Sequence, residues 1–478
     1  MMKKIIVILA IVMMNGTLFA SISSAKELDF VLPEAGGAMA HSDSKMSDYI
    51  NMPVPTGDVK VVWQHNEISG EKGGSKGLGF SSNGEIAAAT FSGLENNLII
   101  YDYDGHRLWT SGKLLNALAC ASAPIIDIHG RVIACDNKVI IMVDPLDVDE
   151  DGVILEWKSK LIHGGLPISP VILEDGTIFI ATKGGPIYIF DSKDGHLLAS
   201  KYLYKGEDEY GPFLSLLMKY SLKKGFYETI NSPCINGNRV YISAQYNKDP
   251  FIFFRRARLY AIDIDCDNPN KDDRLQIAWY YDFDGPSGAS PLLIENTLYF
   301  DGGRCFLRKP QIIALIDRGE TWEEKWKSRI PNPIDSSLAF DPRGGFWVVD
   351  AFGGRLIRKS TENGEVLDVI DTDKMVNKLG THRPCSVITI CGSPDRPILI
   401  NAVMSLIPSK SSCYVIAVDL EDDNNLLWKV KISEGPVVSL DFPFGQYPVI
   451  MKNGKPRLVF TTVSGGAWAI GGTRSTAI

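Results

Sequence analysis

Residues 168–200 read ISPVILEDGTIFIATKGGPIYIFDSKDGHLLAS, and this stretch decides the fold. It contains four short apolar runs separated by the turn sequences EDG, KGGP and KDG. Alternating apolar residues bounded by Gly, Pro, Asn and Asp are typical of antiparallel strands and hairpins. The stretch therefore predicts the four strands of one propeller blade. A single blade cannot bury both of its faces, so we expect the unit to recur along the chain.

The unit does recur, with a period of roughly 50 residues that is typical of propellers. Seven copies follow one another, and an eighth, within residues 436–472, ends one strand short. Residues 58–65 (DVKVVWQH) form a strand-like segment without a neighbouring partner. We expect this segment to complete the eighth blade and remove an exposed sheet edge. The predicted fold class is all-β: an eight-bladed β-propeller of four-stranded blades, closed by an N-terminal strand, with a small helical insertion between blades 3 and 4.

The N terminus is typical of an export signal. Lys3 and Lys4 precede the apolar run 5–14, and small residues at 23–25 form a candidate cleavage site. The predicted organisation is a signal peptide at residues 1–25, an N-terminal arm or linker at residues 26–57, and the propeller at residues 58–478. We expect a periplasmic or secreted protein whose mature chain has no transmembrane domain. An N-terminal membrane anchor is the alternative, although the run is short for a spanning helix.

Charge and cysteine content narrow the possible functions. The net charge of -8 argues against a generic nucleic-acid binder, although a local basic face is compatible with it, and we predict no specific nucleic-acid partner. Export makes disulfides chemically possible, and no Cys-x-x-Cys spacing suggests zinc or redox chemistry. Cys120 precedes the first strand of its blade and Cys135 ends the second. Both should therefore lie at one end of adjacent strands, which makes them the predicted disulfide pair.

Residues repeated from blade to blade carry a family resemblance. The first strands of three blades begin with Ser-Pro, an Asp closes the third strand of six blades, and a Trp lies in the last strand of five blades. The Ser residues are Ser169, Ser232 and Ser290; the Asp residues are Asp102, Asp144, Asp191, Asp263, Asp317 and Asp419; the Trp residues are Trp109, Trp157, Trp279, Trp326 and Trp428. This pattern resembles the pyrroloquinoline-quinone-type (PQQ-like) repeat of quinoprotein-like eight-bladed propellers over nearly the whole mature chain.

That resemblance implies the propeller fold, because the repeated residues serve blade packing. For the dehydrogenases of the family it also implies a quinone and Ca²⁺ in the central channel, an Asp as base and an adjacent Cys-Cys pair, a dipeptide that this sequence lacks. A second resemblance is to the propeller subunit of the outer-membrane β-barrel assembly machinery, which is a scaffold. We predict a binding scaffold for a protein or for an anionic or aromatic small ligand, with no cofactor. A quinone (PQQ)-dependent oxidoreductase that uses Ca²⁺ is the alternative.

Basic and aromatic residues in long insertions form the first candidate site. The insertions, residues 201–230, 245–258 and 302–309, should lie on one face of the disc. Long loops on a rigid scaffold commonly carry function. The candidate ligand-binding residues are Arg255, Arg256, Arg304, Arg308, Phe253 and Phe254, and Arg258 belongs to the same insertions. Alternatively, the insertions pack their apolar side onto the disc and leave a solvated basic rim.

Two further groups of polar residues are weaker candidates. Residues near the starts of first strands could reach the channel mouth, although a structural role is the alternative for each: His163, Asn231, Asp335, His382 and Arg383. A D-x-D-x-D-G run supplies alternate carboxylates that suit a hard cation such as Ca²⁺: Asp147, Asp149 and Asp151. Lys158 occupies the position where an EF-hand loop has its last carboxylate, and a solvated hairpin loop is the alternative.

Overall fold

Eight antiparallel sheets, one for each predicted repeat, form a propeller ring in the computed structural model. Successive strands pair within each sheet, and the first strand of each blade lies next to the central channel. The predicted all-β, eight-bladed fold is therefore confirmed. The structure describes residues 30–34, 36–67, 79–145, 155–203, 227–229, 231–246, 256–284, 289–302, 310–332, 336–376, 382–405, 411–435, 440–443 and 445–476.

The first four blades consist of consecutive strands. Blade 1 contains Phe80–Ser82, Ala87–Thr90, Leu98–Tyr101 and Arg107–Thr110. Blade 2 contains Ile125–Ile126, Val132–Cys135, Val139–Val143 and Leu155–Lys160. Blade 3 contains Pro167–Ile172, Thr177–Thr182, Pro186–Asp191 and Leu197–Tyr202. Blade 4 contains Arg239–Tyr246, Arg256–Ile264 and Leu275–Asp284, and both Tyr227–Thr229 and Cys234–Asn236 pair with its strand Arg239–Tyr246.

The other blades follow the same order. Blade 5 contains Leu292–Ile294, Thr297–Asp301, Gln311–Asp317 and Trp322–Arg329, and blade 6 contains Ala339–Phe340, Phe346–Asp350, Arg355–Lys359 and Val366–Asp371. Blade 7 contains Thr389–Cys391, Ile398–Ser405, Ser411–Asp419 and Asn425–Gly435, with His382–Pro384 added on Ile398–Ser405. Blade 8 contains Val449–Lys452, Lys455–Thr461 and Gly466–Gly471. The described helices are short: Thr372–Val376 (α) and Ala117–Ala121 and Lys271–Asp273 (3₁₀).

The fourth strand of blade 8 comes from the N-terminal side of the propeller. Lys60–Asn66 pairs antiparallel with Gly466–Gly471. Pro55–Thr56 forms a second, two-stranded sheet with Arg474–Ser475. The two ends of the propeller chain are therefore joined by backbone hydrogen bonds. The predicted helical insertion falls within residues 204–226, which lie outside the described residues.

A tryptophan in the last strand attaches one blade to the next. Trp157 donates its indole N–H to the Ser192 carbonyl at 2.9 Å. Its ring lies over Gly195, where an added Cβ would come within 2.3 Å of the indole and where φ is +71°. Trp63 and Trp326 likewise donate to backbone carbonyls of the next blade. Trp279 donates to the Asp317 carboxylate, and Trp428 donates to the Pro55 carbonyl. The repeated Trp is thus a packing residue, and the turn in front of it needs glycine for both space and conformation.

A repeated Asp performs a related task between blades 4 and 5. The Asp317 carboxylate accepts hydrogen bonds from Arg239 Nη1 at 2.8 Å, Tyr241 Oη at 2.5 Å and Trp279 Nε1 at 3.0 Å. Burial alone would raise the pKa of Asp317, but the hydrogen bonds from Tyr241 and Arg239 hold this pKa below its ordinary value. Asp317 therefore joins the strands as an ionised hydrogen-bond acceptor.

The N-terminal arm circles the channel inside the ring. Its carbonyl groups accept hydrogen bonds from backbone N–H groups of the innermost strands, at distances of 2.7–3.0 Å. The accepting residues and the blades they contact are Gly36 (blade 8), Gly37 (blade 1), Ala38 (blade 2), Ser44 (blade 4), Lys45 (blade 5), Ser47 (blade 6) and Asp48 (blade 7). Tyr49–Ile50 then pairs parallel with Thr389–Cys391. The arm thereby satisfies inner-edge donors that the blades themselves leave open.

Candidate functional site

The arm and the starts of the innermost strands enclose a cavity in the central channel. Its volume is about 340 Å³. Ala40 and His41 contribute the arm's side of the cavity, and the blades contribute the walls. We call it the channel cavity; its described lining also includes Phe80, Ala123, Leu166, Ile168, Ser169, Lys183, Asn231, Ser232, Ser290, Ser336, Ser337, Val387 and Gln446. The arm therefore turns a channel through the ring into a pocket of ligand-binding size.

Serine hydroxyls in the cavity wall connect neighbouring blades. Ser169 Oγ accepts the backbone N–H of Ala123 at 3.0 Å. Ser290 Oγ accepts the N–H of Ser232 at 3.0 Å, and Ser337 Oγ accepts the N–H of Ser290 at 3.0 Å. Because each hydroxyl uses a lone pair for the neighbouring blade, its proton remains available to a group in the cavity. The repeated Ser therefore has a packing role and also makes the wall polar.

Gln446 fixes the arm to the cavity wall. Its side-chain oxygen accepts the backbone N–H of Ser42 at 2.6 Å. Its side-chain NH₂ donates to the carbonyls of Met39 at 2.6 Å and Phe80 at 3.1 Å. Gln446 is buried, so these hydrogen bonds hold the arm in one position against blades 1 and 8.

His41 makes two side-chain contacts, one within the arm and one to blade 6. Its Nδ1 lies 2.9 Å from Asp48 Oδ2, and its Nε2 lies 3.3 Å from Ser337 Oγ. Asp48 is fully buried, whereas the His41 side chain keeps 15% of its surface exposed. Burial raises the pKa of the Asp48 carboxyl, and the neighbouring His41 opposes that rise. The three side chains therefore form a continuous hydrogen-bonded chain from a buried carboxyl group to the cavity surface.

The proton on the His41 ring sets the direction of both hydrogen bonds in this chain. With that proton on Nδ1, the ring donates to Asp48, and Nε2 accepts from the Ser337 hydroxyl, whose oxygen also accepts the N–H of Ser290. The arm backbone holds the two arm residues together, because the Asp48 N–H donates to the His41 carbonyl at 2.9 Å.

The residues predicted for the channel mouth are dispersed. Asn231 lines the channel cavity and donates from Nδ2 to the Ala289 carbonyl at 2.6 Å. His163 lies beside the rings of Tyr188 and Tyr202, with ring centroids 6.2 and 5.2 Å away. His163 is outside the cavity lining, and burial raises the pKa of Tyr188 beside it to about 12.

The last described candidates for the channel mouth lie near the junction of blades 6 and 7. His382 is buried, and its Nδ1 lies 3.8 Å from Asp373 Oδ1. Arg383 packs against Gly354, where an added Cβ would lie 2.3 Å from the guanidinium. Both residues are outside the described lining of the channel cavity. Asp335 falls outside the described residues.

Most of the predicted basic and aromatic face also lies outside the described residues, namely Phe253, Phe254, Arg255, Arg304 and Arg308, as does the side chain of Arg256. The face therefore stays a prediction. Arg258 is described and is 4% exposed. Its guanidinium lies 3.7 Å from the ring centroid of Tyr280 and 4.6 Å from that of Tyr227, and its Nε donates to Asp282 at 2.7 Å. Arg258 is thus a packing residue of blade 4.

The predicted metal and disulfide sites stay predictions. Asp147, Asp149 and Asp151 lie outside the described residues. Cys120 and Cys135 are both buried and both are thiols in this structure. Cys135 Sγ lies 3.4 Å from Ser122 Oγ, and burial raises the pKa of the Cys135 thiol to about 12.

Sequence reasoning missed His41, Asp48 and Ser337. The arm has no strand or helix period, so its sequence predicts only an arm or linker at residues 26–57. The available signal was the polar sequence HSDSKMSDY at residues 41–49, which is rich in hydrogen-bonding side chains for a plain linker. Four residues within this sequence have positive φ in the structure: His41, Ser42, Met46 and Asp48.

The described lining of the channel cavity does not fit a pyrroloquinoline quinone with Ca²⁺. Such a quinone carries several carboxylates, and the described lining includes one permanent cation, Lys183. Ca²⁺ takes six to eight oxygen ligands, normally including carboxylates. None of the described lining residues is an Asp or a Glu.

The architecture defines the class of the protein: a closed eight-bladed propeller whose own N-terminal arm blocks its channel. No protein-family model matches the chain, and no curated protein matches it. Solved structures do match. A europium-containing methanol dehydrogenase is 12% identical to this chain and superposes with a TM-score of 0.52. The aligned region covers 89% of this chain and 89% of the dehydrogenase.

Two further similar structures are BamB from Moraxella catarrhalis and a quinohemoprotein alcohol dehydrogenase from Comamonas testosteroni. BamB is 11% identical and covers 86% of this chain and 99% of its own, with a TM-score of 0.46. The alcohol dehydrogenase is 11% identical and covers 93% of this chain and 81% of its own, with a TM-score of 0.46. The predicted likeness to quinoprotein-type propellers is confirmed at the level of the fold. Within the described part of the chain, no helix has the length and apolar character needed to cross a membrane.

Proposed function

We propose that the protein is an exported binding propeller that holds a small polar molecule in its channel cavity. The observation that carries this proposal is the position of the arm, which converts an open channel into a pocket of about 340 Å³. Small-molecule sites are concave, largely pre-formed and of about 300–1,000 Å³. The channel cavity falls within this range of volumes.

The lining indicates the chemistry of the ligand. Serine hydroxyls, the Asn231 amide and His41 offer hydrogen bonds, while Phe80 and Val387 offer apolar surface. Lys183 adds one positive charge. A neutral or singly anionic molecule with several hydroxyl or carbonyl groups suits this mixture better than a multiply charged one. The basic and aromatic insertions would then serve a protein partner, as a separate site.

Thermal shift measurements test the binding proposal. The full chain is melted with a set of sugars, polyols, hydroxy acids and amino acids. A ligand that binds only the folded protein at 100 times its Kd stabilises it by about 2.7 kcal/mol. Ala40→Leu adds bulk where Ala40 lines the cavity and should remove the shift, whereas the control Leu94→Ala, at a residue that is 89% exposed, should retain it. Equal shifts in both variants, or no shift with any compound, would count against the cavity as the binding site.

The quinone-dependent alternative has support from the fold of the methanol dehydrogenase, the neighbour with a TM-score of 0.52. Incubation with pyrroloquinoline quinone and Ca²⁺, followed by visible absorption after gel filtration, separates the two proposals. A stoichiometric quinone spectrum and dye reduction with an alcohol would favour the oxidoreductase. We expect neither, because the described lining lacks the carboxylates that Ca²⁺ needs.

A further inference from the structure

We propose that Ser337, His41 and Asp48 form a nucleophile–base–carboxylate relay, and that the protein hydrolyses small esters in the channel cavity. This inference deepens the proposed function and rests on it, because the ester would be the molecule that the cavity binds.

The geometry of the three side chains assigns their roles. Ser337 Oγ lies 3.3 Å from His41 Nε2, and His41 Nδ1 lies 2.9 Å from Asp48 Oδ2. A serine becomes nucleophilic when an adjacent imidazole takes its proton, and a buried carboxylate orients that imidazole. The Ser290 N–H occupies one lone pair of Ser337 Oγ and leaves the other for attack. Ser337 would be the nucleophile, His41 the base and Asp48 the orienting group.

Two of the three relay residues reach the cavity surface, and the third is buried behind them. Ser337 and His41 both line the channel cavity, whereas Asp48 lies behind them and is fully buried. His41 and Asp48 have φ values of +57° and +51°, which non-glycine residues adopt uncommonly. Backbone conformations of this kind concentrate at functional sites, where the surrounding structure holds them. Here the ring of arm-to-blade hydrogen bonds holds the segment.

The reaction balances without a co-reactant other than water. Ser337 Oγ forms a bond to the ester carbonyl carbon while its proton passes to His41 Nε2. The carbon–oxygen bond to the alcohol breaks, and the alcohol leaves with that proton. Water then attacks the acyl-serine, its proton follows the same route, and a carboxylic acid and free Ser337 result. General-base assistance of this kind contributes about 10²–10⁴-fold.

The shape of the cavity limits the substrate. Because Ala40 and His41 of the arm line the cavity together with the blades, we expect a small molecule or a chain end to reach Ser337 more readily than the middle of a polymer. The cavity volume of about 340 Å³ suits short acyl and alcohol groups. We therefore expect small esters to react and esters with long acyl chains to be excluded.

Reaction with an alkyl fluorophosphonate tests the relay in the full-length protein. Mass mapping after labelling should find the adduct on Ser337, formed at least about 100-fold faster than on Ser336, which lines the same cavity without a histidine contact among the described residues. Hydrolysis of p-nitrophenyl acetate should disappear in Ser337→Ala and persist in Ser464→Ala, which changes an exposed serine outside the described cavity lining. Asp48→Asn keeps the shape of its side chain and should slow labelling by 10-fold or more.

Each outcome bears on the proposal. Labelling of Ser337 no faster than that of Ser336 in the wild type overturns it, and this result needs no variant to fold. An unchanged labelling rate in folded Asp48→Asn also overturns it, and His41 would then only hold the arm against blade 6. If the relay fails while ligands still shift the melting of the wild type, the cavity binds without reacting and the proposed function stands. If both fail, the cavity is not a small-molecule site.

Discussion

We expect mutation of Trp63 to weaken the closure of the propeller ring more than other changes in the N-terminal strand. It lies in Lys60–Asn66, is 9% exposed, and stacks on Tyr101 with ring centroids 5.7 Å apart. Its indole N–H donates to the Tyr103 carbonyl at 3.1 Å, and a Cβ at Gly105 would come within 2.7 Å of the ring. Trp→Ala in a packed site costs about 3–5 kcal/mol. Trp63→Ala should therefore remove about 4 kcal/mol from the free energy of unfolding.

Two control variants separate closure from general loss of packing. Val62→Ala changes the same strand at a residue that is 38% exposed and should cost less than about 1 kcal/mol. Trp157→Ala removes the corresponding contact between blades 2 and 3, which are consecutive in the chain. It should lower stability by a similar amount without releasing the N-terminal strand.

The assay is urea unfolding followed by circular dichroism, together with limited proteolysis under native conditions. Free energies come from linear extrapolation to zero denaturant. We expect Trp63→Ala to shift the unfolding midpoint strongly and to accelerate cleavage on the N-terminal side of the propeller, whereas Trp157→Ala shifts only the midpoint. A midpoint for Trp63→Ala that equals that of Val62→Ala would refute the reasoning.

Three further predictions concern the arm, a repeated carboxylate and the cysteines. Gly36→Ala places a Cβ 2.4 Å from the Gly84 backbone at φ +97° and should expose the arm to protease. The control Gly112→Ala, at φ +52° with nothing within 4 Å of the added Cβ, should lower the free energy of unfolding by only about 1–2 kcal/mol and leave the arm protected from protease. Equal protease sensitivity of the two variants would contradict the described attachment of the arm to the blades. The folded-state pKa of Asp317 is lowered, so its stabilisation is present above the unfolded pKa of about 3.9 and is lost as the pH falls. Asp317→Asn should therefore lower the melting temperature at pH 7 and flatten its decline below about pH 4. Mass mapping of protein matured in an oxidising compartment should find Cys120 joined to Cys135; two free thiols would reject that pair.

The blades could be predicted from the sequence because strands and turns depend on interactions between residues that are close in the chain. In a strand, side chains alternate between the two faces, and a tight turn needs Gly or Asp; both patterns span only a few residues. Thr177–Thr182 and its turns could therefore be predicted without knowing which strands pair with it. The repeated Trp and Gly were visible for the same reason, although their contact, such as Trp157 on Gly195, spans two blades. The period and the missing strand of blade 8 then indicated a closed ring.

The channel cavity could not be predicted in this way. His41 and Ser337 are 296 residues apart, and their contact exists only after the ring has brought blade 6 to the arm. The arm has no hydrophobic period, and what attaches it to the blades is backbone carbonyls, which every sequence carries, together with irregularly spaced buried side chains such as Met39 and Met46. By itself the sequence determined where strands begin, turn and repeat. Only the tertiary structure decided that the arm enters the channel and that His41, Asp48 and Ser337 meet there, because those contacts depend on the closed ring.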